Sequence, residues 1–182
     1  MKLYEYTGKE LFKLFHIPVP KGILLVNSNE ICKHFRPANE YFLKAQLLSG
    51  GRGKRGLVKS VTSLKEAKEV ANDLFQNEDV TYLLMEEKVD VKRECYFSLS
   101  LDDTRGKIRL TFSEFGGVEV EAIHTDEKQS LHSFLFSDLD GLKDYQIITL
   151  LTKTKIEPHY YKEIVNVIKR AYALMVQIEA TV

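Results

Sequence analysis

The sequence predicts a mixed fold, α/β or α+β, built as one domain or two small lobes. Strand-like alternation and helix-like apolar spacing follow each other along the chain, with no repeat and no long linker. With 182 residues, of which 44% are hydrophobic, the chain is large enough to bury a core of its own. Each predicted element depends on a local pattern of residues.

The first half of the chain is predicted to alternate helices and strands. Apolar residues at helical spacing predict a helix over 4–15, which Pro18 and Pro20 end. Asn27 can cap a short helix that reaches His34. Strands are predicted at 22–26, 41–46 and 57–61, and Ser63 and Glu66 form a capping box for a helix to residue 76.

The second half is predicted to begin with strands and to end with helices. A turn at 102–106 joins two strands into a hairpin, and helices are expected to dominate after residue 121. The predicted strands are 80–88, 94–101, 107–112 and 118–121, and the predicted helices are 145–152 and 158–177. In the last helix, an apolar stripe from Ile164 to Met175 is typical of a helix packed on a core.

The composition argues against several classes of protein. Basic and acidic residues balance at 26 each, so the chain lacks the positive excess typical of nucleic-acid binders. No apolar run approaches ~18 residues, and the start of the chain lacks a signal or transit pattern, so we expect a cytoplasmic protein without a membrane span. Cys32 and Cys95 share no motif, which predicts buried cysteines in a reducing compartment, and the five histidines show no metal-ligand spacing.

Residues 44–61 form the most specific segment of the chain. Its glycines are Gly50, Gly51, Gly53 and Gly56, and they alternate with Arg52, Lys54 and Arg55. Glycine lets backbone N–H groups approach an anion closely, and the cations can neutralise its charge. The loop therefore predicts a polyphosphate site, with Lys44 on the strand that leads into it.

Residues 51–58 match the pattern Gly-x-Gly-x-x-Gly-x-Val, which fits three kinds of nucleotide site. A dinucleotide-binding fold requires a helix after the glycines, whereas 57–61 is strand-like. A Walker loop requires Gly-Lys-Ser/Thr, and a protein kinase requires His-Arg-Asp and Asp-Phe-Gly, none of which occurs in the required place. Two interpretations remain: a strand–loop–strand flap over a nucleotide, and a glycine turn with solvated cations.

Carboxylates at strand ends form a second set of candidates. Glu86 and Glu94 each border an apolar strand, where a carboxylate can accept a hydrogen bond from adenine or ribose; the alternative is a charged surface loop. The glycine pair Gly116–Gly117 is expected either near the phosphates or in an ordinary hairpin turn. Glu119 and Glu121 share one strand face, but two acids without further ligands are a weak signal for a metal.

Six blocks of residues occur in an order that is known from one family. They are Leu3-x-Glu5-Tyr6-x-x-Lys9-x-Leu11-Phe12, Ile17-Pro-Val-Pro20, Lys44-x-Gln46 with Gly50-Gly-Arg-Gly-Lys54, Met85-Glu86, Lys92-x-Glu94-x-Tyr96, and Glu114-x-Gly116-Gly-Val-Glu-Val-Glu121. In this order they resemble the amino-terminal ATP-grasp region of the β subunit of succinate–CoA ligase and of related acyl-CoA synthetases. The resemblance extends over essentially the whole chain.

The resemblance implies an α+β ATP-grasp fold in which two lobes hold ATP between them. The expected inner lobe is about 21–101, and the outer lobe is about 1–20 plus 102–182. The residues implied for ATP are Lys44, Gly51, Arg52 and Gly53 at the phosphates, Glu86 and Val89 beside adenine, and Glu94 at the ribose. The resemblance also implies Mg²⁺, whose ligands (a Glu-x-Asn-Pro segment and an aspartate) are expected beyond the carboxyl end, so we expect a truncated domain.

The resemblance further implies a partner, the α subunit, which carries a phosphohistidine and the CoA site. The implied reaction converts succinate, CoA and ATP reversibly into succinyl-CoA, ADP and phosphate, with no nucleophile in this chain. This part alone is expected to bind nucleotide weakly and to be inactive. An acetate– or malate–CoA ligase, a citrate-cleaving relative and an inactive ATP-grasp-like binding module stay open. The chain departs from the family at Leu48-Ser49, where a histidine is usual, and at Phe115, which interrupts Glu-Gly-Gly.

Overall fold

The computed structural model describes residues 2–49, 51–117 and 131–181, and the chain folds as two compact units. Unit 1 comprises Met1–Lys13 and Pro18–Asp90, and unit 2 comprises Leu14–Ile17 and Val91–Val182. These bounds differ from the predicted lobes, which placed the first helix in the outer lobe and 91–101 in the inner lobe. The segment 96–102 pairs with 107–113 as a hairpin, which explains why it belongs to unit 2.

Among its described residues, unit 1 contains a four-stranded antiparallel sheet and three helices. Its strands are β1 (Gly22–Leu25), β2 (Tyr41–Ala45), β3 (Val58–Val61) and β4 (Leu83–Glu87), in the order β1-β4-β2-β3. Its helices are α1 (Glu5–Leu14), α2 (Ile31–His34), which follows a 3-10 turn at Ser28–Glu30, and α3 (Leu64–Phe75). The sequence predicts all of these elements to within a few residues at each end.

Two predicted helix caps are present in unit 1. The Oγ of Ser63 accepts a hydrogen bond from the N–H of Glu66 at 3.2 Å, and the Glu66 carboxylate accepts one from the N–H of Thr62 at 2.8 Å. The Oδ1 of Asn27 accepts a hydrogen bond from the N–H of Asn29 at 3.0 Å. These bonds satisfy N–H groups that the first turn of a helix leaves without an acceptor.

One face of this sheet forms the core of unit 1. Strand alternation turns Leu25, Leu43, Leu83 and Met85 to this face, where each is at most 2% exposed. Helix α3 supplies Ala67, Ala71 and Leu74 to the same cluster. Burial of a large aliphatic side chain contributes roughly 1.5–3 kcal/mol, so this face is the main apolar source of stability in unit 1. The opposite face of the sheet carries Lys44 and Glu86.

Unit 2 contains a three-stranded antiparallel sheet and two helices among its described residues. The strands are β5 (Tyr96–Asp102), β6 (Lys107–Ser113) and β7 (His132–Phe136), in the order β5-β6-β7. The helices are α4 (Asp144–Leu151) and α5 (Tyr161–Gln177), which follows a 3-10 turn at Pro158–Tyr160. The side chains of Leu110, Phe112, Ile147, Leu151 and Ile168 form the centre of its core.

At this level one strand was not predicted and one prediction is wrong. The helices predicted at 145–152 and 158–177 are present as α4 and α5, but strand β7 was not predicted in the mostly helical part after residue 121. Its pairing with β6, such as Phe136 with Ile108, stabilises a strand that its own sequence signals weakly. Cys32 and Cys95 were predicted to be buried, and both are exposed. Cys32 directly follows the buried Ile31 in α2 and so faces another side of the helix.

Two further sequence predictions concern a strand and a membrane span. The predicted strand at 118–121 lies outside the described residues. Among the helices that the structure describes, none combines the length and the apolar character needed to cross a membrane.

Candidate functional site

Lys44 and Glu86 meet on the face of the unit 1 sheet that is opposite the core. In the register of β2 and β4, Lys44 is opposite Leu84 and Glu86 is opposite Phe42, so the two charged residues are diagonal neighbours on one face. The Nζ of Lys44 lies 2.5 Å from the Oε1 of Glu86. Because Glu86 is only 3% exposed, its charge needs partners within the protein.

Helix α1 adds two more charged residues to this face. The Nζ of Lys9 contacts the Oε2 of Glu86 and lies 2.8 Å from the Oε1 of Glu5, one helical turn earlier. The same oxygen of Glu5 lies 3.3 Å from the Nζ of Lys44. Each carboxylate is therefore shared between the two lysines.

The glycine loop joins this group through Arg52. The Nη2 of Arg52 lies 2.8 Å from the Oε2 of Glu5, and its Nη1 donates a hydrogen bond to the carbonyl of Ala45 at 3.0 Å. We call the five charged residues the charge cluster: Glu5, Lys9, Lys44, Arg52 and Glu86. Its three cations and two carboxylates leave an excess of one positive charge, which suits an anion-binding site.

The charge cluster shifts the pKa of two of its members. Burial alone would raise the pKa of Glu5, but the hydrogen bond from Lys9 and the charges of Lys44, Lys9 and Arg52 lower it to about 2. Burial alone would lower the pKa of Lys44, but the hydrogen bond to Glu86 and the charge of Glu5 raise it above its ordinary value. Both residues are therefore charged at neutral pH.

Gln46 connects α1 to the end of β2. Its side chain is 1% exposed; its Oε1 accepts a hydrogen bond from the N–H of Tyr6 at 3.1 Å, and its Nε2 donates one to the carbonyl of Lys44 at 3.0 Å. Beside it, the rings of Tyr4, Tyr6 and Tyr82 lie with centroids 5.7 to 6.2 Å apart. Since α1 has no buried residue, polar and aromatic contacts hold it on the sheet.

The loop between β2 and β3 has the strand–loop–strand form that the sequence predicts. The N–H of Ala45 donates to the carbonyl of Leu57 at 2.9 Å, and β3 follows directly. Gly51 and Gly56 have φ values of +76° and +69°, which glycine adopts far more readily than other residues. The prediction that no helix follows the glycines is confirmed, and with it the rejection of the dinucleotide interpretation.

The remaining predicted residues of unit 1 lie outside the charge cluster. Gly53 is in a turn of the loop, where its carbonyl accepts a hydrogen bond from the N–H of Gly56 at 3.1 Å. Val89 follows β4 and is 52% exposed. Gly50 is not among the described residues.

Glu94 belongs to unit 2, where it lies beside the second glycine pair. A Cβ added to Gly117, whose φ is +87°, would lie 2.5 Å from the Oε2 of Glu94. A Cβ added to Gly116 would lie 2.9 Å from the carbonyl carbon of Cys95. Glycine at both positions therefore lets the two segments of unit 2 approach closely, and it sets the carboxylate of Glu94 against Gly117.

The described residues do not fit a Mg²⁺ site. The carboxylate of Glu114 accepts a hydrogen bond from the N–H of Lys155 at 2.5 Å, and Glu119 and Glu121 lie outside the described part of the chain. Within that part, the side chains of His, Cys, Asp and Glu form no group of three or more that could hold a metal ion. No chemical step can therefore be assigned to a metal held by these residues.

Sequence reasoning missed the part that α1 plays in the site. Glu5 and Lys9 belong to the N-terminal block of the resemblance, but no role was assigned to them. The signal in the sequence was a Glu–Lys pair four residues apart, which is typical of an ion pair on a helix surface. The contacts of Glu5 with Lys44 and Arg52 form only once α1 lies against the folded sheet, so the local sequence does not reveal them.

Comparison with known proteins shows the family. A family model described as ATP-grasp domain matches residues 2–182. The chain is 36% identical to an ADP-forming sulfoacetate–CoA ligase subunit of Bilophila wadsworthia over 174 residues. The matched region covers 94% of this chain and 47% of that protein. It is 32% identical to succinate–CoA ligase [ADP-forming] subunit beta 2 of Archaeoglobus fulgidus over 185 residues. The matched region covers 99% of this chain and 49% of that protein.

The chain spans about half the length of these two relatives. Among solved structures, a protein of Pyrococcus horikoshii matches 97% of this chain and 78% of its own, with a TM-score of 0.77 and 16% identity, so the likeness concerns the fold. The antiparallel sheets and the helices of both units agree with that fold. This chain therefore belongs to the ATP-grasp domain family and has an α+β ATP-grasp fold.

Proposed function

We propose that this chain is the nucleotide-binding part of the β subunit of an ADP-forming CoA ligase. The charge cluster carries the proposal, because three cations converge beside a glycine loop and only two carboxylates oppose them. Cations together with accessible backbone N–H groups are a combination that binds polyphosphates. The two relatives, both named as ADP-forming CoA ligase subunits, support this assignment.

Lys44 and Arg52, with Gly51 and Gly53 of the loop, are the proposed contacts of the ATP phosphates. The ammonium group of Lys44 and the guanidinium group of Arg52 carry more N–H donors than their contacts with Glu5, Glu86 and Ala45 engage. A phosphate oxygen can therefore be added without breaking these contacts. Bound ATP would supply the phosphoryl group that the partner subunit receives, and the residues of this chain would orient it and offset its charge.

The nucleoside part of ATP is assigned to three other residues. Glu86 and Val89 are the proposed neighbours of adenine, and Glu94 is the proposed contact of the ribose. Each carboxylate oxygen of Glu86 already contacts one lysine, yet such an oxygen can accept a further hydrogen bond through its second lone pair. This capacity is compatible with an adenine amino group as an additional donor.

Succinate is the proposed acid substrate of the complete enzyme, and sulfoacetate is the second candidate. The names of the two relatives give these acids, and both are small dianions at neutral pH. The partner α subunit with its phosphohistidine and CoA site, the Mg²⁺ ligands and a cytoplasmic location belong to the same proposal. We expect the 182 residues alone to bind nucleotide weakly and to have no turnover.

The nucleotide site is tested by the substitution Lys44→Ala. Isothermal titration calorimetry with ATP should show at least about tenfold weaker binding, because a charge-assisted contact to phosphate is lost. Lys68→Ala is the matched control, since Lys68 is exposed on α3 in the same unit. A dissociation constant that Lys44→Ala leaves unchanged, with circular dichroism showing a folded protein, would contradict the phosphate assignment.

The acid is tested in the complete ligase, assembled from the product of the parent gene and its partner subunit. Product formation with ATP and CoA should show the highest kcat/KM for succinate among succinate, sulfoacetate, malate, acetate and citrate. A higher value for another acid would replace succinate in the proposal. The remaining alternative is an inactive ATP-grasp-like binding module, and the codons that follow Val182 in the parent gene test it. Codons for Glu-x-Asn-Pro support an enzyme, and a stop codon supports the inactive module.

A further inference from the structure

We infer that Glu5 is a positioning residue of the phosphate site, which holds Lys44 and Arg52 together so that one polyphosphate can contact both. The inference rests on the proposed function, since it concerns how that site is organised before ATP binds. Glu5 lies in the first turn of α1, outside the glycine loop and outside the residues assigned to ATP.

The two oxygens of Glu5 face different parts of the charge cluster. Oε1 lies 3.3 Å from the Nζ of Lys44 on β2, and Oε2 lies 2.8 Å from the Nη2 of Arg52 in the glycine loop. One carboxylate therefore connects the cation of the strand with the cation of the loop. Without it, only the hydrogen bond from Arg52 to the carbonyl of Ala45 would remain between that guanidinium group and β2 among the contacts that the structure describes.

Arg52 needs such support because of its place in the chain. It follows Gly51, whose backbone is in the left-handed region, in a segment rich in glycine, the residue with the greatest backbone freedom. Its side chain is long and loses rotamer freedom when it is fixed. If Glu5 fixes the guanidinium group in advance, ATP binding does not have to order it, and the affinity rises.

Glu5 is itself held in place independently of Arg52 and Lys44. Lys9 contacts Glu5 within the helix and Glu86 on β4, which sets the orientation of the first turn of α1. The N–H of Tyr6, the next residue, donates to the buried side chain of Gln46. The carboxylate of Glu5 is therefore part of a fixed helix turn rather than a mobile anion.

A carboxylate between two cations could alternatively occupy the place of a phosphate and compete with ATP. The structure favours positioning, because Lys44 and Arg52 retain further N–H donors and the cluster keeps one positive charge in excess with Glu5 ionised. The two roles predict opposite signs. Removal of the charge should weaken ATP binding if Glu5 positions the cations, and should strengthen it if Glu5 competes.

The experiment compares Glu5→Gln with Glu10→Gln in the 182-residue chain. Both substitutions remove one carboxylate charge from α1, but Glu10 pairs only with the exposed Lys13 among the contacts described. Calorimetry with ATP should show about fivefold weaker binding for Glu5→Gln, since the long side chain of Arg52 must then be ordered on binding while Lys44 stays paired with Glu86, and unchanged binding for Glu10→Gln. Since α1 has no buried residue, both variants should fold, as circular dichroism and thermal melting can verify.

A second readout concerns Arg52 directly and needs no nucleotide. In ¹⁵N spectra of the arginine side chains, the Nη signals of Arg52 should be distinct in the wild type, because its guanidinium group is held at both nitrogens, and should average in Glu5→Gln. The amide signal of Tyr6 should stay in place, which separates loss of positioning from loss of the helix. Averaged signals in the wild type would overturn the inference.

The outcomes also separate this inference from the proposed function. If the wild type binds ATP and Glu5→Gln binds it equally or more tightly, the positioning role is overturned and the proposed function stands. If the wild type binds no ATP, the proposed function fails and the inference fails with it. Weaker binding in Glu5→Gln, together with averaging of the Arg52 signals, supports both.

Discussion

The two faces of the sheet in unit 1 differ in what holds them together. The core face carries Leu25, Leu43, Leu83 and Met85. The stabilisation that they provide grows with the apolar area removed from water and does not depend on the direction of individual contacts. The opposite face carries the charge cluster, where the cost of removing charges from water offsets much of their attraction. The difference teaches that substitutions on the core face should cost more stability than substitutions in the charge cluster, which should in addition weaken ATP binding.

The largest effect on stability is expected for Leu43→Ala on the core face. Leu43 is completely buried, so the substitution leaves a cavity and should lower the free energy of unfolding by about 3 kcal/mol. Urea unfolding followed through the NMR signals of β2 amides measures this for unit 1. Leu48→Ala is the control in the same unit, because Leu48 is 48% exposed and the same substitution should change stability by less than about 0.5 kcal/mol.

Two results would contradict the expected difference between the core face and the face with the charge cluster. One is a loss below about 1 kcal/mol for Leu43→Ala, which would mean that the core face closes around the cavity. The other is a large change in ATP affinity of the folded Leu43→Ala protein, which would mean that packing on the core face determines the geometry of the charge cluster.

A smaller loss of stability is expected for Glu86→Gln in the charge cluster. The amide cannot offset the charges of Lys9 and Lys44, which then lie close together with one carboxylate fewer, so we expect a loss of about 2 kcal/mol. The same urea experiment measures it. Glu87→Gln is the control, because Glu87 lies next to it in β4 and accepts a hydrogen bond from Asn39, which glutamine can also accept. Equal effects of the two variants would show that Glu86 contributes nothing beyond its place in the strand.

The smallest effect concerns the pH dependence of Glu5. The pKa of its carboxyl group is about 2 in the folded protein, against an ordinary value of 4.5 for a glutamate without partners. Its contribution to stability is therefore complete above about pH 4.5 and is lost as the pH falls to about 2. The groups that face it are Lys9, Lys44 and Arg52, with Glu86 behind the lysines.

The measurement for this prediction is the difference in unfolding free energy between the wild type and Glu5→Gln. It should be about 1 kcal/mol near neutral pH, since Glu5 remains partly solvated, and should shrink between about pH 4.5 and pH 2. A difference that grows as the pH falls would have the wrong sign and would exclude a stabilising, ionised Glu5.

The fold of unit 1 was predictable because its signals are local. The capping box at Ser63 and Glu66, the alternation of β2 and the glycines between β2 and β3 each determine conformation within a few residues. Strand β7 was not predictable in the same way. It is a short strand that pairs with β6 alone among the described strands, and β6 lies outside its local sequence.

The candidate site was only partly predictable for a similar reason. Lys44, Arg52 and Glu86 were identified because they border strands or glycines. The pair Glu5–Lys9 and the pair Glu10–Lys13 look alike in the sequence of α1, yet the first contacts the sheet and the second is exposed. What distinguishes the two pairs is which of them lies on the side of α1 that contacts the sheet. No buried apolar residue of α1 marks that side in the sequence.

The attachment of α1 makes unit 1 sensitive to ionic strength at one place. Glu5 and Lys9 join the helix to the sheet through ion pairs, and no side chain of the helix is buried. Salt screens charges over a Debye length of about 10 Å at 0.1 M, whereas the apolar contacts of the core face do not depend on charge. These pairs are partly buried, so salt screens them less than it screens exposed pairs, but it does not weaken the core face at all. Rising salt should therefore loosen the attachment of α1 moderately before it affects the sheet, so the ionic strength can adjust how firmly Glu5 and Lys9 are held in the charge cluster.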